Sequence, residues 1–270
     1  MNKGDCIKLI KDFIEEKLNG DINEFISFDM KLIRNDKKYG GSEPDNTKIM
    51  NAIYVVIWSD KISDMIFNEL SPKGIYRGDI INSFKTILGK PIRENGEIIH
   101  FRGIKKHTNN KETIERSKRF RKIYHTIGNM TPLVNKHSGA KSLNQYKGTC
   151  GWHDYFDLFL QDLYLCYHQD FGSKDRKALN EYMTENENFF MNYKGIAKFE
   201  NFIKDFYLDL YVNSDAYVPI SIFEPHYFHW RKPQADEKEY IKYVDNYVTN
   251  ASKIITYRGK KMVEELKKNI

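Results

Sequence analysis

Five polar residues fall on one stripe of a helix expected over 152–168: His153, Asp157, Gln161, Tyr164 and His168, at steps of 4, 4, 3 and 4. A His-x3-Asp step on a helix can hold a metal ion or set an orienting carboxylate behind a base, so His153 and Asp157 are the metal-ligand candidates. Phe156, Phe159, Leu160, Leu163 and Tyr167 cover much of the remaining surface, and the plain alternative is a stripe that faces solvent. A second group lies upstream. From Phe101 to His125 nine cations (Arg102, Lys105, Lys106, Lys111, Arg116, Lys118, Arg119, Arg121 and Lys122) stand against only Glu112 and Glu115. The whole chain carries +6, so this one segment makes it basic and the remainder is close to neutral. A local positive field is what phosphate binding requires. Lys105, Lys106, Arg116, Lys118, Arg121 and Lys122 are therefore the candidate nucleic-acid contacts, with a solvated loop and helix as the alternative. Two further stretches have suggestive chemistry. Arg77-Gly78-Asp79, with Ser83 beyond it, is a helix cap or a catalytic carboxylate. "EPHYFHWRKP" (224–233) interleaves aromatics with His226, His229 and Arg231, the mixture that stacks nucleobases or builds a buried aromatic connector.

The elements that must position these groups are mostly helical. Residues 4–18 place Cys6, Ile10, Phe13, Ile14 and Leu18 on one face, and Asn19-Gly20 stops the helix. A second apolar helix is expected over 46–58, although Ile53–Trp58 alone also suits a buried strand. Asp79 caps a helix through Leu88, and a basic helix spans about 112–124. Beyond Trp152 the pattern is helical over 152–168, 175–192, 196–212 and 236–268, with the Pro-broken connector 213–233 between the last two. In the last helix Tyr240, Val244, Tyr247, Ala251, Ile254, Tyr257 (or Arg258) and Met262 keep a 3.6-residue spacing. The fold class is thus mainly α: a single domain over 1–270, with a small β element near 95–135. Its N-terminal part (1–125) and helical C-terminal part (150–270) pack together.

Composition narrows the classes further. No apolar run approaches the roughly 20 residues of a membrane span, so no membrane partner is expected. Seventeen Phe, eighteen Tyr and three Trp supply ample surface to bury, which excludes a disordered chain. Cys6, Cys150 and Cys166 are too few and scattered for a disulfide framework. The polar N-terminus lacks an apolar leader, and a cytoplasmic, reducing location is the expectation.

Residues 125–147 resemble the second half of an HNH-type nuclease motif, on "GNMTPLVNKHSGAK" (128–141). The resemblance implies Asn129 in a loop and His137, eight residues on, as a metal ligand; a variant of the motif would use Asn144 and Lys147 instead. It also implies an upstream general base, for which His100 in "EIIHF" is the candidate, and one divalent cation, Mg²⁺ or similar, polarising a phosphate. Ile99 stands where such motifs carry an acid. Arg119-x5-His125 is similar to the Arg-x4–6-His pair of HEPN ribonucleases, which implies Arg119 as phosphate stabiliser and His125 as acid–base group.

Read in order, the chain resembles an uncharacterised bacterial family, a domain of unknown function. The resemblance rests on Asp29 and Asp36, "VIWSDK" (56–61), "RGDIINSF" (77–84), "HTIGNM" (125–130), "SLNQYKG" (142–148), "DYFD" (154–157), "NFFMNYKGIAKFENFIKDF" (188–206) and "YRGKKM" (257–262). It implies one helical domain, with the 125–130 and 142–148 segments near the 154–157 helix start, and no activity. Three functions remain open. One is a nucleic-acid-directed, nuclease-like enzyme of phage–host conflict or of a toxin. Another is a non-catalytic helical module that docks on a protein partner or a second copy of itself. The third is a small-molecule enzyme.

Overall fold

The computed structural model describes residues 2–61, 91–94, 97–101, 108–132, 155–185, 190, 196–226 and 235–270, with the backbone path alone over 91–101. Among these are seven α-helices: α1 (Lys3–Lys17), α2 (Lys48–Trp58), α3 (Lys111–Ile123), α4 (Phe156–Tyr167), α5 (Lys174–Glu185), α6 (Ile196–Asp205) and α7 (Glu237–Asn269). The chain is mainly helical, as its periodicity predicts. An antiparallel hairpin, β1 (Pro91–Glu94) and β2 (Glu97–Phe101), pairs His100 with Ile92 and has a register irregularity after Ile92. The expected Asp79–Leu88 helix lies outside the described residues. No helix among the described residues is long and apolar enough to cross a membrane.

Local chemistry sets the helix ends. The Asn2 side chain accepts from Asp5 N–H to open α1. Asn19 and Gly20 close it with positive φ, Gly20 N–H returning to Ile14 O. Thr47 caps α2, and Asn110 caps α3. The α2 segment is a helix rather than a strand, because residues Ile49, Met50 and Ala52–Trp58 are buried all round it. Trp58 closes it by donating its indole N–H to Asp205 O at 2.9 Å. The helix expected over 196–212 stops at Asp205. Tyr207 turns to a φ of 57°, and Leu208 N–H reverses onto Ile203 O. Trp58 and Lys61 flank the Tyr207 ring and hold that turn.

The 33 residues of α7 run about 50 Å and form the spine of the molecule. Its buried face packs against α2, α3 and the short turns Ile22–Ile26 and Ile127–Asn129. About two-thirds of the way along α7 stands Arg258, fully buried, while Tyr257 lies at the boundary and donates its hydroxyl to Asp209. The Arg258 guanidinium is held by main-chain carbonyls. Nε donates to Phe206 O at 3.0 Å, Nη1 to Gly128 O, and both terminal nitrogens to Met130 O at 3.3 Å. Phe206 O belongs to the carbonyls left over where α6 ends, so the arginine supplies donors that the helix itself lacks. Burial lowers the guanidinium pKa, while the nearby Tyr211, Tyr54 and Tyr207 raise it. Gly128 allows the approach. A Cβ there would lie 1.9 Å from Ile255 O and 2.7 Å from Gly259 N.

Two substitutions test this junction by urea unfolding. Arg258→Met leaves the carbonyls of Phe206, Gly128 and Met130 unpaired in the interior and is expected to cost about 3 kcal/mol or more. Gly128→Ala forces main chain against main chain and is expected to cost at least about 3 kcal/mol, above the usual range for an added methyl.

Candidate functional site

A buried acid–base pair lies where α4 begins. Asp157 is the second residue of that helix, near its positive end, and has no exposed surface. Its Oδ1 accepts from Leu158 N–H at 3.0 Å, and its Oδ2 accepts from Phe223 N–H at 3.1 Å. The same Oδ2 faces His226 Nε2 at 3.0 Å. A carboxylate only accepts, so opposite the ionised Asp157 it is Nε2–H of the ring that donates. The His226 side chain is 12% exposed and stands edge-on to Tyr155, with centroids 4.7 Å apart. A base oriented by a buried carboxylate is the arrangement general acid–base catalysis uses.

Behind the pair the interior stays polar. Tyr211 is fully buried, and no described residue pairs with its hydroxyl. Burial pushes that hydroxyl well above its ordinary pKa, Asp157 adds to the rise, and Arg258 opposes it. The phenol thus feels the fields of a buried anion and a buried cation. Phe156 and Phe223 pack on its ring and keep water out.

The residues expected to carry chemistry have separate surroundings. Asn129 is buried in the Ile127–Asn129 turn and donates Nδ2 to Tyr124 O at 2.9 Å. His125 sits with Nδ1 3.5 Å from Asp29 Oδ1 and its ring against Tyr124. Arg119 is exposed on α3. His100 is placed by its backbone in β2, and Lys105, Lys106, His137, Asn144, Lys147 and His153 lie outside the described residues. The described part of the helix expected over 152–168, Phe156–Tyr167, does not turn one solvent-facing stripe outward: Asp157 is buried, Gln161 and Tyr164 are half-buried, and His168 just past its end is exposed. The Asp157 oxygens are occupied by N–H groups and an imidazole. No group of three or more His, Cys, Asp or Glu among the described residues could hold a metal ion. Burial pushes the Cys6 thiol up to about 11 and Cys166 to about 12, so neither is a nucleophile at neutral pH.

Of the basic candidates, Arg116 pairs with Glu112 and with Asp245 of α7 at 3.0 Å, and Lys118 pairs with Glu115. Arg121 is half-buried, and Lys111 and Lys122 are exposed. The helix buries Thr113, Ser117 and Phe120 against α7 and turns its cations outward. His226 is the residue the spacing arguments did not couple to Asp157. The two are 69 positions apart, and the only signal was the mixture of imidazole and aromatic rings at 224–233.

His125 makes a pH prediction. Burial pulls it down to about 4 despite the Asp29 carboxylate, with Lys31 and Arg121 adding to the fall. Its folded pKa lies below the unfolded value of about 6.5, so the unfolded chain takes up the proton first as pH drops. The stability it contributes is therefore whole above about pH 6.5 and is lost on the way to about pH 4, by on the order of 2–3 kcal/mol. Urea midpoints of the wild type and His125→Gln, compared at about pH 7 and pH 4.5, should diverge less at the lower pH.

No curated protein and no solved structure matches the chain. A family model does, that of a family of unknown function, DUF6994, over residues 25–262. With the match running through nearly all of the helices above, this chain belongs to that family.

Proposed function

We propose that this protein is a nucleic-acid-directed enzyme in which His226, oriented by Asp157, moves the proton and the outer face of α3 draws in phosphates. The observation that carries this reading is that one stretch of α7 holds both parts. Asp245 pairs with Arg116 of α3, and the next residue, Asn246, donates to Glu224 O two positions before His226. Between them Tyr247 stands edge-on to Phe120 of α3 at 6.0 Å and packs on Phe223 at 5.0 Å. That neighbouring residues of α7 anchor both α3, through Arg116, and the connector that carries His226 is what supports reading the two as parts of one site.

In the reaction, His226 Nδ1 takes the proton from the attacking hydroxyl or water as its oxygen bonds to phosphorus, the P–O bond to the leaving nucleotide breaks, and the imidazolium, stabilised by Asp157, returns the proton to the leaving oxygen. Lys118, Arg119 and Lys122 hold the backbone phosphates, which makes binding weaken steeply with salt. The site differs from the HNH and Arg-x5-His arrangements: its base is His226. A divalent cation joins the proposal as an added component whose need is read by chelation.

A second reading, a helical module that docks on a protein partner, draws on Val218 and Ile220. These are 41% and 44% exposed on the loop that follows the Asp209–Tyr211 turn.

The test uses the full chain with single-stranded RNA, single-stranded DNA and duplex DNA, with Mg²⁺ and with chelator. His226→Gln and Asp157→Asn are expected to lower cleavage by about 10²–10⁴ while the helical circular dichroism persists. Replacing Lys118, Arg119 and Lys122 by Gln should reduce the slope of log affinity against log salt by about 0.7–0.9 for each phosphate no longer neutralised. A wild-type chain that neither binds nor cuts any of the three at low salt overturns this reading in favour of the second.

A further inference from the structure

Residues 221–226 form no helix or strand, yet their polar groups are held one after another by two helices. Gln161 of α4 donates to the Ser221 hydroxyl at 2.8 Å. Asn250 of α7 donates to Ile222 O at 3.1 Å, Phe223 N–H donates to Asp157, and Asn246 donates to Glu224 O at 3.1 Å. The two asparagines are a single device. They lie four apart on one face of α7, and Asn250 Nδ2 also donates to Asn246 Oδ1 at 2.9 Å. With its oxygen accepting, the Asn246 amide must turn its nitrogen to Glu224 O, so the flip of each amide is settled by the other. The carbonyls they grip lie on either side of Phe223, whose N–H is the one that reaches Asp157.

We infer that Asn246 and Asn250 are positioning residues for the acid–base pair: by clamping the carbonyls of Ile222 and Glu224 they set the register that brings His226 Nε2 onto Asp157. The inference rests on the proposed role of His226 for its functional meaning, but its geometry can be measured without any substrate. A stretch without regular structure has many ways to pair its backbone. Anchors at two alternate carbonyls select one of them and so fix where the residue beyond Pro225 falls. The hydrogen bonds of the two asparagines go to the connector and to each other, so their hold on the pair runs through the connector.

The experiment follows the ring N–H proton of His226 by NMR in the full-length protein. A hydrogen bond to a buried carboxylate should give a downfield ring N–H signal in the wild type that exchanges slowly with water, and Asp157→Asn should abolish or shift it. Asn246→Ala and Asn250→Ala are expected to raise its exchange rate by about five- to tenfold or erase it. Val263→Ala, further along the buried face of α7, serves as the control. It should lower the melting temperature comparably and leave the signal in place. A merely structural role for the asparagines predicts that the control and the asparagine variants behave alike, and that result overturns the inference. So does a wild-type protein without the signal, or asparagine variants with unchanged exchange. Cleavage assays on the same proteins judge the enzymatic reading separately: a signal lost in both asparagine variants, with no cleavage by the wild type, keeps the clamp and removes the nuclease.

Discussion

A guanidinium with no exposed surface is the constraint around which the rest of the structure is arranged. Taking Arg258 out of water costs several kcal/mol unless nearly every N–H finds an acceptor. The acceptors here are carbonyls of Phe206, Gly128 and Met130, and they come from two places far apart in the chain. Satisfying one side chain therefore joins the end of α6, the 127–130 turn and α7. The same joint explains Gly128. The turn can present its carbonyls only if its backbone lies on that of α7, and a β-carbon would hold it off.

From this joint the interior runs through Tyr211 to Asp157 and out to His226. A buried cation and a buried anion both act on a fully buried phenol. Each charge is satisfied mainly by backbone rather than by the other. Arg258 is met by carbonyls, and Asp157 by the N–H groups of Leu158 and Phe223. The carboxylate of Asp157 also meets the His226 imidazole through Oδ2, so that ring is the one side chain among these partners.

The periodicity of α7 was legible from residues alone, down to the ambiguity between Tyr257 and Arg258 at one step. Hydrophobicity favours the tyrosine there, and the structure buries the arginine, because loose carbonyls can be recognised only once α6 and the 127–130 turn are in place. α2 shows the opposite case. Its run of β-branched and aromatic residues, Ile53–Ile57, fits a strand locally, and complete burial on all sides makes a helix equally acceptable to the core. The candidate site was half visible. Spacing singled out Asp157, as a metal ligand beside His153 or as part of a solvent-facing stripe, but a stripe at helical intervals does not reveal which of its residues enters the core. Its partner was invisible to spacing because the pairing crosses 69 positions through a connector with no period of its own. The short motifs around Asn129 and Arg119 show a related limit of spacing, which does not say that the Asn129 amide donates to Tyr124 O or that the His125 imidazole stands beside Asp29.

The basic segment shows why a charge count is a poor guide to a field. Arg116 belongs to the packing of α3 on α7, since Glu112 and Asp245 engage its guanidinium. Lys118 shares its charge with Glu115 three residues earlier. The cations of α3 that stay exposed are Lys111, Arg119 and Lys122, with Lys118 beside them and paired to Glu115. On a helix, positions 111, 118 and 122 fall on one face and 119 lies beside it, so these cations form a strip along α3. Arg119 accordingly fits better as one contact in a row than as a lone stabiliser of a reacting phosphate. A strip suits an extended polyanion more than a compact phosphate group, because several shallow attractions at successive phosphates add up where no single pocket closes around one.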